Sequence, residues 1–288
     1  MAKTVFNNID PAVLERIKAM RLFDDEFMTA AFSDNIELTQ LLIRILLDRN
    51  DLIVTKSMSQ LQKTNLFGKS VKLDIVAEDM FSHEYNIEIQ RTDKGAGGQR
   101  IRYHQAMIDS HTLQKSEDYI ELPRLYIIFI LEHDMFKMGK PIYRVRKTLD
   151  VKDKNGVDLP FDDDCYIMYI NGEYKGDNPI GKLMHDFSTT NADEMYYDEL
   201  AERMRFLKQD EKGVIMVSKI VEEYGDQRAA EALQQGLQQG IQQGLQQKAE
   251  EIAIELFQTD LPPEKIAKYV KLPLEKVLEL QKTITVEA

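Results

Sequence analysis

The stretch Val71-Lys72-Leu73-Asp74-Ile75-Val76-Ala77, followed by Tyr85-Asn86-Ile87-Glu88-Ile89-Gln90, decides the fold. Both segments alternate with period two, the signature of half-buried strands. Val71, Leu73, Ile75 and Ala77 are expected on one face, and Lys72, Asp74 and Val76 on the other. Asp79 to His83 reads as the turn between them, so the pair is predicted to be an antiparallel hairpin centred near Phe81. That register sets Asp74 opposite Glu88 and Lys72 opposite Gln90. Like charges placed directly opposite destabilise a sheet by roughly 0.2–1 kcal/mol. Two readings of the carboxylates are open. Either they lie on a solvated face and tolerate each other, or a divalent cation lies between them, since hard ions favour one or two carboxylates.

Outward from the hairpin, helix and strand signals alternate. Leu38, Leu41, Leu42, Ile45 and Leu46 follow helical spacing behind Asp34-Asn35-Ile36-Glu37, which has the form of a capping box. Leu52 to Ser59 reads as a strand. Beyond the hairpin come the glycines of 95–98 and a helix over about 99–113. The unbroken apolar run Leu125 to Leu131 reads as a central strand covered on both faces. Strands follow at 142–148 and 165–170, with a polar loop from Lys152 to Asp164. After about residue 178 only helical patterns remain. The expected division is a mixed α/β domain over 1–225, a Gly/Gln repeat helix or spacer over 226–248, and a small helical module over 249–288.

The 288 residues carry 37 Lys+Arg against 49 Asp+Glu, a net charge of −12. Such a chain does not coat nucleic acid or an anionic membrane by bulk charge, although a local basic patch is compatible with it. One cysteine, Cys165, excludes an intrachain disulfide and a cysteine-based zinc site, and in an apolar strand it reads as a buried small residue. No apolar run approaches the ~18 residues of a membrane span, and the first residues lack a signal-peptide core. The expectation is a cytoplasmic protein.

The hairpin and its neighbours resemble the PD-(D/E)XK nuclease superfamily, in particular its recombination-promoting nuclease and transposase branch, whose last motif reads E-x-Q. The resemblance rests on Leu73-Asp74-Ile75 with Glu88-Ile89-Gln90, and on several ordered blocks around them. Arg21 to Met28 is similar to the branch's D-x-x-F block, 35–47 to its first core helix, Arg100 to Tyr103 to its R-x-x-Y helix, and 125–131 to its next strand. It implies a restriction-endonuclease-like αβββαβ core followed by a helical C-terminal region. It also implies metal-dependent hydrolysis of DNA phosphodiesters, with magnesium or manganese as cofactor and DNA as partner. The metal-binding acids map onto Asp74 and Glu88, with the Ile89 carbonyl as a further ligand. Gln90 departs from the superfamily's usual lysine. Its amide carries no charge and is no base near neutral pH, but it can orient water or donate to phosphate. Lys72, flanking Gln90 across the hairpin, is a candidate to make up the missing charge. Glu37 is either a further acid at the site or the partner of Asp34 in the capping box.

Arg100 and Tyr103 lie one helical turn apart, with Arg102 and His104 beside them. The resemblance gives this helix a phosphate-binding role. The alternative is an arginine paired with a carboxylate and a tyrosine packed at the sheet edge. Arg91, Lys94, Arg100 and Arg102 gather positive charge directly after the site. His83, His111, His133 and His185 show no metal spacing.

In the tail, Leu-Gln-Gln-Gly recurs from Leu233 to Gly236, Leu237 to Gly240 and, with isoleucine, Ile241 to Gly244. Four residues turn a helix by about 400°, so the apolar stripe drifts by about 40° per repeat. A glycine at each repeat costs about 1 kcal/mol relative to alanine but permits close backbone approach. Self-association and a variable spacer are both open. The end, Glu264 to Leu278, is similar to a helix-turn-helix. Its second helix offers Glu275, Lys276 and Glu279 rather than the usual base-reading residues, which favours a packing or homo-oligomerisation module. Two functions follow: a metal-dependent DNA endonuclease of low sequence preference in recombination or mobile-element biology, or a non-catalytic nuclease-fold oligomer that binds DNA or protein.

Overall fold

A computed structural model describes residues 9–66, 68–91 and 97–287 of the chain. The glycine stretch expected at 95–98 lies partly outside these residues, as does Lys94. The chain divides into two compact units, Met1–Glu222 and Glu223–Ala288.

The first unit opens with three helices, α1 (Pro11–Ala19), α2 (Asp25–Phe32) and α3 (Ile36–Leu47). The strands β1 (Val54–Lys63), β2 (Val71–Asp79) and β3 (Glu84–Gln90) follow, then α4 (Gly98–Thr112) and β4 (Leu125–Leu131). From α3 to β4 this is the αβββαβ order expected of the core. The strands β5 (Ile142–Arg144), β6 (Thr148–Lys152), β7 (Asp158–Pro160) and β8 (Cys165–Asn171) come next. One mixed sheet has the order β1-β2-β3-β4-β8-β5, with β3–β4 and β4–β8 parallel and the other neighbours antiparallel. The segment 152–164, expected as a loop, instead carries half of the small exposed β6–β7 hairpin. Its polar residues hid the pairing because neither face is buried.

Both sheet faces are covered. On one side α1–α3, α5 (Pro179–Ser188) and α6 (Asp198–Gln209) pack with Ile75, Ile87, Ile128 and Ile170. On the other, Ile101, Met107 and Ile108 of α4 pack with Leu73, Ile127, Phe129 and Leu131. The β4 run is apolar throughout because it faces both layers. Cys165 is buried, as expected.

The β2–β3 register is the predicted one: Ile75↔Ile87, Val76↔Asn86, Ala77↔Tyr85 and Glu78↔Glu84. Buried Asp79 fixes its turn by accepting the backbone N–H groups of Phe81 and His83 and the Tyr85 hydroxyl. The expectation that Val71, Leu73, Ile75 and Ala77 share one face needs correction. All four are buried, but Val71 and Leu73 enter the α4 core while Ile75 and Ala77 enter the opposite one. The facing sense changes at Asp74, beside Gln60 of β1, whose φ is +56°. Alternation alone cannot distinguish two buried faces. The capping box also fails: Asn35, not Asp34, caps α3 by accepting the Leu38 N–H at 3.0 Å.

In the second unit the glycine repeat is part of one continuous helix, α7 (Glu211–Leu256), which begins within the first unit. The helices α8 (Pro263–Val270) and α9 (Leu274–Glu287) follow, joined through Lys271 in the left-handed region. Ala253, Ile266, Ala267 and Val277 form their small core. Leu233, Leu237, Ile241 and Leu245 are all exposed.

Two glycines give a stability test. A Cβ on Gly172 would meet the Leu131 carbonyl oxygen at 2.3 Å and the Phe23 ring at 2.7 Å, and backbone cannot yield as a side chain can. Gly172→Ala is expected to lower urea-unfolding stability by about 1–3 kcal/mol. Gly236→Ala, with nothing within 4 Å, is expected to leave it unchanged or raise it by up to ~1 kcal/mol through helix propensity. The opposite ranking would contradict this packing.

Candidate active site

The site forms where β2 and β3 part. The last β2–β3 pair on that side, among the described residues, is Ile75↔Ile87. One residue further, the Asp74 side chain takes over from the ladder: its Oδ2 accepts the Ile89 backbone N–H at 3.0 Å. Its Oδ1 accepts the Gln60 amide at 3.4 Å. This fixes the carboxylate relative to β3 through a backbone atom, which no rotamer change can move.

Glu88 points toward α4 and its side chain is 0% exposed. Its Oε2 accepts Nη2 of Arg100 at 3.1 Å. Arg100 also donates Nη1 to the Gln90 Oε1 at 3.4 Å and Nε to the His104 Nε2 at 3.2 Å. A ring nitrogen that accepts carries no proton, so this bond assigns the His104 hydrogen to Nδ1. Nδ1 faces the Glu88 Oε1 at 3.6 Å, too far for a hydrogen bond. Both atoms are buried and without a hydrogen-bond partner in the structure.

Electrostatics mark the pair. Burial first, and then the charge of Glu88, push the Asp74 carboxyl up to about 7, against the bond from Ile89. Asp25, in the first turn of α2, adds to the push, and Arg100 opposes it. One guanidinium thus opposes the combined charge of buried Glu88, half-buried Asp74 and exposed Asp25. A second cluster adjoins it. Arg91 donates to Asp24 at 2.8 Å and to Glu132 at 3.2 Å, and Arg21 pairs with Glu132 at 2.8 Å. Burial would raise Glu132, but the bonds from Arg21 and Arg91 outweigh it and hold the carboxyl below its usual range. These ties join the N-terminus of α2 to the ends of β3 and β4.

Of the residues singled out from sequence, Asp74, Glu88, Gln90, Ile89 and Arg100 come together. The others do not. Lys72 pairs with Gln62 of β1 rather than lying across from Gln90, because the β2–β3 ladder has already ended. Tyr103 gives its hydroxyl to the Lys69 carbonyl and accepts the Asn65 amide at 3.2 Å, so it pins the β1–β2 connection instead of facing the acids. Arg102 is exposed on α4, two residues from Arg100 and hence on another side of the helix. Glu37 is exposed on α3, and no bond joins it to Asp74 among the described residues. Arg91 is committed to its own ion pairs and is no spare charge. Three further members, Asp25, His104 and Gln60, have no assigned role in the sequence pattern. His104 stands at i+4 from Arg100, a spacing that places it on the same face. Asp25 lies within the D-x-x-F block. Gln60 had no local signal, since its place depends on the β1 register.

The residues present fit a divalent cation. Glu88 is buried with its Oε1 unbonded among the described residues, and its charge acts on half-buried Asp74. Among the described residues no group of three or more His, Cys, Asp or Glu side chains is arranged to hold a metal. A cation here would thus draw its remaining ligands from backbone, water or substrate, as magnesium commonly does.

The raised Asp74 predicts a stability slope. The carboxyl's ordinary value is 3.8 and the folded one about 7, so between them the folded state holds the extra proton. Stability is then retained at low pH and lost as pH rises through about 7, by up to roughly 4 kcal/mol. In chelator, Asp74→Asn is expected to match the wild type near pH 4 and exceed it at pH 8, read by urea unfolding. Parallel profiles for the two proteins would contradict the assignment.

The family of PD-(D/E)XK nuclease family transposases matches residues 30–217, well over half of the chain. No curated protein and no solved structure matches it. The matched region spans β1 to β4 and contains Asp74, Glu88, Gln90, Arg100 and His104, the residues brought together at the parting of β2 and β3. The mixed six-stranded sheet, the parting of β2 and β3 at an aspartate and the family match agree, and the chain belongs to the PD-(D/E)XK nuclease family transposases.

Proposed function

We propose that this protein is a metal-dependent DNA endonuclease of low sequence preference, acting in recombination or mobile-element biology. The observation that carries the reading is the Asp74–Glu88 pair, Glu88 buried and Asp74 half-buried, mutually repelling and set at the parting of two strands. Repulsion of this kind is kept where a cation relieves it. When bound, magnesium or manganese supplies Lewis acidity, an activated water and charge to offset the phosphate. The chain's own part is to hold that charge in place. The Ile89 N–H orients Asp74, Arg100 orients Glu88, and the Ile89 carbonyl is the proposed further ligand. Gln90 orients water or phosphate in place of the superfamily's lysine. Arg100, about one third exposed, is the residue that meets the DNA phosphate.

With net −12 and few uncommitted cations at the site, DNA engagement is expected to be weak and cation-dependent. No helix among the described residues is long and apolar enough to cross a membrane. The lone cysteine suits a reducing compartment such as the cytoplasm. For the tail, the exposed stripe Leu233, Leu237, Ile241 and Leu245 supports homo-oligomerisation.

A second reading has one observation in its favour. Arg100 already neutralises Glu88, and position 90 has no lysine, so a non-catalytic nuclease fold that binds DNA or protein is the alternative. Incubation of the purified protein with plasmid DNA and a panel of divalent ions separates the two. The expected result is nicking that requires a cation and falls at least 100-fold in Asp74→Asn/Glu88→Gln. Cleavage that persists in the double variant contradicts the site. Binding without cleavage across the panel favours the alternative.

A further inference from the structure

We propose that Arg100 is an internal stand-in for the cation, which yields Glu88 when a divalent ion and a DNA phosphate arrive together. The inference rests on the metal-dependent reading above and adds to it a coupling between the two ligands. All three guanidinium nitrogens are engaged, by Glu88 at 3.1 Å, His104 at 3.2 Å and Gln90 at 3.4 Å. In this arrangement Arg100 cannot also grip a phosphate through the same hydrogens. A side-on grip on phosphate through Nε and Nη2, the nitrogens that hold His104 and Glu88, competes with these acceptors.

None of the three bonds is short. Charge-assisted N–H···O bonds run at about 2.7–2.9 Å. The Arg91–Asp24 and Arg21–Glu132 pairs nearby reach 2.8 Å. Arg100 to Glu88, at 3.1 Å, is longer than these though not than Arg91–Glu132 at 3.2 Å, and Glu88 is fully buried with no other hydrogen-bonded cation among the described residues. The arrangement also leaves the Glu88 Oε1 and the His104 Nδ1 facing each other unbonded at 3.6 Å. His104 supplies the guide. Its ring is buried and receives the Arg100 Nε, which holds the side chain within reach of Glu88 while 35% of it remains exposed. Here His104 is a positioning residue that acts through Arg100.

The consequence is thermodynamic. An ion at Asp74 and Glu88 competes with Arg100 for Glu88, whereas phosphate draws Arg100 away. Each ligand then favours the other by the same factor. Without DNA, Arg100 holds cation affinity down.

The test is isothermal titration of the full chain with manganese chloride, without DNA, for the wild type, Arg100→Gln, Arg100→Met and Arg102→Gln. Arg102→Gln removes the same charge from the exposed side of α4 and serves as the electrostatic control. Arg100→Gln is expected to bind manganese at least fivefold more tightly than Arg102→Gln, within the usual range of site-to-site coupling. Arg100→Met, which keeps the apolar stem, gives the same result should the glutamine variant fold poorly. Adding a short DNA duplex, with calcium as the titrant, is expected to tighten the wild type more than Arg100→Gln. Wild type and Arg100 variants that bind manganese equally overturn the stand-in role and leave the metal-dependent reading intact. No manganese bound by any of them overturns both.

Discussion

Buried Glu88 and half-buried Asp74 repel each other, Arg100 bonds the first of them, and the surrounding structure is arranged to hold both in place. A buried charge without a partner costs several kcal/mol, and a second like charge beside it costs more. The fold accepts this at Asp74 and Glu88. It anchors the first on the Ile89 backbone N–H and the second on Arg100. Everything needed for that placement is local to the sheet: a hairpin fixed at Asp79, two strands that part at Asp74, and a helix laid over β3 so that Arg100 and His104 descend on Glu88. The Arg21–Glu132–Arg91–Asp24 cluster then joins α2 to the strand ends and brings the field of Asp25 to bear on Asp74.

Much of this was legible in the chain. The hairpin register and the central strand at 125–131 followed from period-two alternation and from an uninterrupted apolar run, both direct records of burial. The features that escaped depend on contacts distant in sequence. Val71 and Leu73 alternate with Ile75 and Ala77 as if facing one core, yet they enter two, because the strand changes sense at Asp74 beside Gln60. Tyr103 shares a helix with Arg100, but its hydroxyl is claimed by Lys69 and Asn65 of the β1–β2 connection. Glu37 borders an apolar stripe, but a cap shifted to Asn35 gives it no capping-box partner. His104 was within reach of simple helical arithmetic. Its importance became apparent only once Glu88 was known to be buried beneath it.

The tail follows different physics. Its repeat forms a continuous helix despite three glycines, each unfavourable by about 1 kcal/mol, with its apolar stripe exposed. The uncharged run from Ala232 to Gln247, in a chain of net −12, is where like copies would meet with least repulsion.

Asp74 and Glu88 are the proposed cation site, held in check by Arg100. The most direct measurement is a crystal structure grown with manganese and a short DNA duplex, read by anomalous scattering at the manganese edge. The expected result is an anomalous peak ligated by both carboxylates, with Arg100 moved from Glu88 onto a phosphate. A well-ordered complex with no peak there, and with Arg100 still bonded to Glu88, would contradict it.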